Sequence, residues 1–309
     1  MRAAALALSA LVALSPAASA AGAATLRRPF TPRASGLADA YSPVAGGLSS
    51  LGSNPAGLSA AARPRLETTF TSGVSDDTFG FLGWAQPLPR GVAAVGLTYY
   101  DAGTVDLRFP GGATQTRTAA RDFVGHLAYG LALPGGLSAG AAAKYYRFEL
   151  AQEARAAGAA FDAGAQWKTP LRGLALGAAV QNAGPGVKFE TESDPLPTAV
   201  RGGASWSFAT AGAKPDSAES YVEGTRFLVT GEALKVRDEA VVAAAGAEIA
   251  MDFGPQTSVA VRLGARFNAP SDRITFGFGV TEGRFTLDYA LADKRDLGQT
   301  HVVGLGVRF

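Results

Sequence analysis

Ionisable side chains recur through this chain in step with the apolar residues around them: Asp122, His126, Lys144, Asp162, Lys168, Arg201, Arg226, Glu232, Glu248, Arg262, Arg266, Asp288 and Arg308. A histidine such as His126 can serve as a general base only with a nucleophile and an orienting group in hydrogen-bond reach. No serine motif and no paired-carboxylate signature accompanies it, and His301 stands at a segment end. His126 is therefore read as a polar residue facing an interior, and the chain as non-enzymatic. The chemistry these charges support is ionic pairing. Their signs are mixed, and Glu248 is expected on a strand beside Arg262 and Arg266, where opposite charges can hold strands together without an apolar core. An ion-selective lining is the alternative. Two turn clusters stand apart from the charges. Asn54-Pro55-Ala56-Gly57 and Gly184-Pro185-Gly186 combine residues that tolerate left-handed backbone with a fixed proline φ. Either is an ordinary turn or a moving gate. Acidic residues in 74–77 and 191–194 lack the spacing of a Ca²⁺ loop, so no metal and no cofactor is expected.

Composition narrows the field further. Hydrophobic residues make up 47% and charged residues 17%, with 39 Gly, 17 Pro, two His and no Cys. The absence of Cys excludes a disulfide scaffold, a thiol nucleophile, a Cys-containing zinc site and a lipoprotein anchor. A net charge of +2 is too small for a nucleic-acid partner. Abundant Gly without a collagen period disfavours helices.

Residues 1–20 read as a secretory signal peptide: Arg2, an apolar segment over 3–14, Pro16, and Ala18-Ser19-Ala20 as the cleavage site. That apolar stretch is too short to cross a bilayer, and no later run of 18 apolar residues replaces it. The exported chain is expected to be either soluble or a membrane β-barrel.

From about residue 65 the pattern has period 2. Val259, Val261, Leu263, Ala265 and Phe267 share one face, and Ala260, Arg262, Gly264 and Arg266 the other. The same alternation predicts about fourteen strands, near 65–73, 79–87, 91–100, 121–133, 136–149, 156–168, 173–180, 196–209, 223–235, 240–252, 257–268, 273–280, 284–292 and 299–309. Short turns alternate with longer connections, an exception being 210–222, which suits an outer-membrane barrel with both termini in the periplasm. Three features favour a barrel over a soluble sandwich. The strands are long, aromatics recur near strand ends (Tyr99-Tyr100, Tyr145-Tyr146, Trp84, Trp167, Trp206, Tyr289), and the chain closes on an apolar-face aromatic, Phe309. Phe309 is read as the signal to the barrel-assembly machinery. The fold expected is all-β: a transmembrane antiparallel barrel over 65–309 in outer-membrane lipid, with an N-terminal hatch over 21–64 inside it.

Segments between the strands carry a family resemblance. SGLADAYSPVAGGLSSLGSNPAGLS (35–59) is similar to the N-terminal hatch of FadL-type barrels, and more closely of the PorV/PorQ family, at Gly36, Asp39, Tyr41, Asn54, Pro55, Ala56, Gly57 and Leu58. A second signature, Gln181, Asn182, Gly184, Pro185 and Gly186, leads into Pro-Leu-Pro-Thr at 195–198, and 287–309 resembles the family's closing hairpin. The resemblance implies a fourteen-stranded bacterial outer-membrane barrel, exported by the Sec pathway, whose hatch shifts to pass a hydrophobic small molecule such as a long-chain fatty acid. The alternative it implies is a PorV-like accessory of type IX secretion or surface attachment, with a secretion-system partner. Two departures stand out: Val44-Ala45-Gly46-Gly47 replaces an acidic pair, and the loops are lean, which reduces the surface that PorV-like cargo handling uses.

Overall fold

A computed structural model describes residues 23, 25–73, 77–108, 112, 114–189, 193–210, 224–254, 256–269, 274–293 and 298–309. The signal peptide expected at 1–20, and nearly all of the 210–222 connection, lie outside the described residues.

The strands are β1 (Arg65–Ser72), β2 (Thr78–Leu88), β3 (Gly91–Asp101), β4 (Thr104–Arg108), β5 (Thr114–Thr118), β6 (Ala120–Ala132), β7 (Leu137–Leu150), β8 (Ala154–Lys168) and β9 (Leu174–Ala183). They continue as β10 (Val187–Lys188), β11 (Ser193–Asp194), β12 (Ala199–Thr210), β13 (Gly224–Val236), β14 (Val242–Phe253), β15 (Thr257–Phe267), β16 (Ile274–Glu282), β17 (Phe285–Asp293) and β18 (Gln299–Arg308). Fourteen of them close an antiparallel barrel in the order β1-β2-β3-β6-β7-β8-β9-β12-β13-β14-β15-β16-β17-β18. The seam is the β1–β18 pairing, from Arg65 opposite Arg308 to Ser72 opposite His301. β4–β5 and β10–β11 are separate hairpins inside connections that the sequence pattern reads as loops.

The barrel strands begin and end within a few residues of the expected positions, because pleating sends alternate side chains to opposite faces and both faces leave a mark on the sequence. Leu127, Tyr145, Trp206, Phe276 and Leu305 point outward and are exposed, an arrangement suited to lipid rather than water. Two aromatics expected at the interface do not belong there. Tyr146 is buried in the lumen while its neighbour Tyr145 faces out, and Tyr100 packs inside under the Arg28 guanidinium, 4.4 Å from the ring centroid. In a regular strand consecutive residues cannot share a face.

Inside the barrel lie the described residues before β1. A short helix, α1 (Pro32–Gly36), capped by Thr31, packs against β15–β18. Turns of 3₁₀ helix follow over Leu48–Gly52 and Pro55–Ala60, the second packing on β3, β6, β7 and β8. Backbone approaches backbone closely here. A Cβ on Gly140 would come within 2.3 Å of the Pro55 carbonyl carbon, and one on Gly177 within 2.2 Å of the Ser42 oxygen.

The described residues before β1 thread the lumen from one end to the other. Arg27 pairs with Glu239 and Arg28 with Asp77, both in connections at the end of the barrel opposite Phe309. Residues 23–28 therefore sit at the loop end, and the chain descends through the lumen to enter β1 at the turn end. Arg27 and Arg28 find these partners at that end.

Candidate functional site

The lumen is divided into an ionic arc, an apolar arc and an open cavity. On the ionic arc, Glu248 of β14 receives Arg33 of α1 (2.7 and 2.8 Å) and Arg262 of β15 (2.6 Å), and Arg262 also reaches Asp288 of β17 (2.7 Å). Arg201 of β12 links Glu232 of β13 (2.7 Å) to Asp39, donating to both its carboxylate (3.0 Å) and its carbonyl. The second Glu232 oxygen accepts the Ser42 N–H at 2.7 Å. Burial raises the Asp39 carboxyl above the usual aspartate range, opposed by Arg201 and Arg266.

Glu248 and Arg262 are the register neighbours that the alternation predicts, but Arg266 is not a partner of Glu248. It lies four residues further along β15 and instead donates to the Ala38 carbonyl at 2.9 Å. Ala38 and Asp39 have φ of 53° and 60°, an unfavourable left-handed conformation for alanine, held by this bond and by the Ala38 N–H to Thr275.

The two motifs meet. Asn54 caps the second 3₁₀ turn through the Ala56 N–H (3.1 Å), while its amide donates to the carbonyls of Ser42, Ala165 and Ala178. Its backbone is extended (φ −147°), so the turn is made by capping and by Pro55 at the first position, not by a left-handed Asn. Gly36 lies on Gly277, Tyr41 is fully buried and joins Arg33 to Gly46, and the Gly57 carbonyl accepts from the Gly46 N–H.

β9 carries one extra residue against β8, because Phe161 pairs with Ala183 but Ala163 pairs with Val180. This bulge turns both Gln181 and Asn182 inward. Gln181 donates to Gly52, and Asn182 donates to Leu26 and Pro197 while accepting from Lys144 at 2.7 Å. Asp162, ion-paired to Lys144 at 2.7 Å, takes the Asn182 N–H. Gly184-Pro185-Gly186 is the turn that follows, at the loop end.

His126 is buried against Phe30, with ring centroids 4.9 Å apart, and its Nε2 lies 3.3 Å from Thr98. Asp122 takes the Thr25 hydroxyl. Several residues that matter were not singled out by their charge. Gln166 donates to the Ser42 and Val44 carbonyls, and Thr230 to Ala40. Their inward register was the available signal. Arg33, Phe30, Leu48 and Leu51 lie in a segment without periodicity and had none.

On the apolar arc, Phe30, Leu48, Leu51 and Leu58 pack on Phe79, Phe81, Ala85, Val92, Ala94, Ala128 and Ala142 of β2, β3, β6 and β7. A second apolar cluster near the loop end joins Ala23 and Leu26 to Val124, Tyr146, Phe148, Val187 and Leu196. Below the ionic arc, at the turn end, opens a cavity of about 980 Å³ whose rim includes Arg65, Glu67, Lys168, Arg226, Asp252 and Arg308.

No family model and no curated protein matches this chain. Solved structures do. The Pseudomonas putida toluene transporter TodX superposes with a TM-score of 0.53 at 11% identity, over 85% of this chain and 93% of that one. The CymD monoaromatic hydrocarbon channel gives 0.53 at 11%, over 90% and 96%, and a Pseudomonas aeruginosa FadL homologue 0.50 at 12%, over 94% and 99%. At these identities the likeness is one of fold: a closed, fourteen-stranded barrel of the bacterial outer-membrane type.

Proposed function

We propose that this protein passes a hydrophobic small molecule, such as a long-chain fatty acid, across the bacterial outer membrane, as a FadL-like barrel of the PorV/PorQ type. In this reading it is exported by the Sec pathway with cleavage after Ala20, inserted by the barrel-assembly machinery, non-enzymatic and without a cofactor. The loop end faces the exterior. The observation that carries the reading is the apolar packing inside the lumen, in two clusters that line β2, β3, β6 and β7 and the loop end. Leu26, Val124, Tyr146, Phe148, Val187 and Leu196 come together at the loop end, inside the lumen. In this reading the cluster offers its surface to an apolar molecule once Ala23 and Leu26 are displaced, each buried leucine-sized portion contributing about 1.5–3 kcal/mol. The named substrates of TodX and CymD, toluene and monoaromatic hydrocarbons, support this class.

The segment 30–60 fills the passage and must shift for transport, while the turn-end cavity serves as a polar vestibule to the periplasm. Two measurements test the reading. Native mass spectrometry of barrel extracted gently from its own membrane is expected to retain a lipid-sized or aromatic mass. Proteoliposomes carrying the barrel are expected to take up radiolabelled oleate or toluene faster than empty ones. A co-purifying protein with no small molecule and no uptake would move the function to a secretion accessory.

A further inference from the structure

We infer that the apolar molecule travels along one wall of the lumen, between the segment 30–60 and the inner faces of β2, β3, β6 and β7, while the ionic arc on β12–β17 stays fastened as the hinge. This rests on the passage proposed above and specifies its route.

The N-terminal segment is held by different chemistry on its two sides. Towards β12–β17 it is tied by Arg33 to Glu248, Asp39 to Arg201, Ser42 to Glu232 and Ala38 to Arg266. Detaching that side removes an ionic partner from each of Asp39, Arg201 and Glu248, all of them buried. Towards β2, β3, β6 and β7, by contrast, none of the hydrogen bonds found among the described residues of 30–60 reaches a strand. The contact is apolar: Phe30, Leu48, Leu51 and Leu58 against aromatic and alanine side chains. An entering hydrocarbon can replace that contact surface for surface, with no polar group left unpaired.

The seam also has the required extent. Phe79 and Tyr100 lie near the loop end of β2 and β3, and Ala85, Val92 and Ala61 near the turn end, so the apolar surface runs most of the barrel's height. Its wall is lined by small residues. Gly96 leaves room for Leu51, whose Cδ2 lies 2.8 Å from where a Gly96 Cβ would stand, and Gly83 does the same for Leu48 at 3.1 Å. Above the seam, the cluster of Leu26, Val124 and Tyr146 continues the apolar surface towards the loops.

The natural chain has no Cys, so engineered pairs are its only thiols. Leu51→Cys with Gly96→Cys would fasten the apolar seam. Leu37→Cys with Gly246→Cys would fasten the ionic side, where the Gly246 Cβ position is 3.0 Å from the Leu37 Cβ, a few tenths of an ångström short of ordinary disulfide spacing. Each is reconstituted in liposomes and assayed for radiolabelled oleate uptake, oxidised and reduced. Oxidation of the 51–96 pair is expected to cut uptake roughly tenfold, reversibly, and oxidation of the 37–246 pair to leave it within roughly twofold. The opposite pattern, or loss in both, overturns the route. Should wild type take up no oleate beyond empty liposomes, the passage itself fails and the route with it.

A measurement on the unaltered protein guards against misfolded variants. Photolysis with an alkyl diazirine is expected to label Leu51, Leu58, Phe81 and Ala94. Lumen adducts confined to β13–β17 would overturn the route.

Discussion

Arg201 donates from a single guanidinium to both the carboxylate and the backbone carbonyl of Asp39, tying a residue in left-handed conformation to the barrel wall across 162 positions of sequence. Because Arg201 also neutralises Glu232, its removal leaves buried Glu232 without this cation and leaves Asp39 to Arg266, 3.7 Å away. Arg201→Ala is expected to destabilise the protein by about 3–5 kcal/mol. Urea unfolding in detergent, followed by tryptophan fluorescence, measures this, and Arg201→Ala combined with Glu232→Gln is expected to recover part of the loss.

Asn54 makes its bonds with both ends of the amide, so shape alone does not preserve them. Asn54→Asp removes the donors to Ser42, Ala165 and Ala178 and sets a carboxylate against three carbonyl oxygens. It is expected to loosen the segment at least as much as Asn54→Ala, which costs about 1–3 kcal/mol. Limited proteolysis should show new cuts within 30–60 in both variants, with the barrel core intact.

Two glycines on adjacent strands make a matched pair. Gly140 faces inward against Pro55, whereas Gly125 faces outward with no atom within 4 Å of a Cβ. Gly140→Val is expected to displace the segment and raise single-channel conductance in planar bilayers. Gly125→Val is expected to leave conductance unchanged. Equal behaviour of the two variants would contradict the packing.

The last residue closes the barrel seam locally. The Phe309 N–H donates to the Pro64 carbonyl at 2.9 Å, and its ring lies 5.3 Å from that of Trp84. Phe309→Ala keeps the backbone bond and loses the ring. The yield of heat-modifiable, membrane-inserted barrel is expected to fall several-fold in cells, with a smaller change for protein refolded in detergent. A fall of equal size in both would assign Phe309 to stability rather than to assembly.

Much of the architecture is legible along the chain, and the reason is geometric. A strand such as β15 writes its two faces into alternate residues, so Val261 and Leu263 declare lipid while Arg262 declares the lumen, without knowledge of any neighbour. Strand number, strand limits and the inward set of charges all follow from that local period. The short hairpins β4–β5 and β10–β11 escaped it because β4 and β5 carry no buried residue and β10 and β11 are only two residues long.

What the tertiary structure alone decided concerns partners brought together by closure of the barrel. Alternation places Arg266 and Glu248 on the same face but cannot say that Arg266 turns to Ala38 instead. Nor can a period-2 pattern foresee the bulge that sends the consecutive residues Gln181 and Asn182 both inward. The segment 30–60 has no repeating face, since its side chains meet different strands in every direction. Its threading from loop end to turn end depends on Arg27 and Arg28 reaching acids far away in sequence. Local physics wrote the wall of this protein, and only long-range pairing set what fills it.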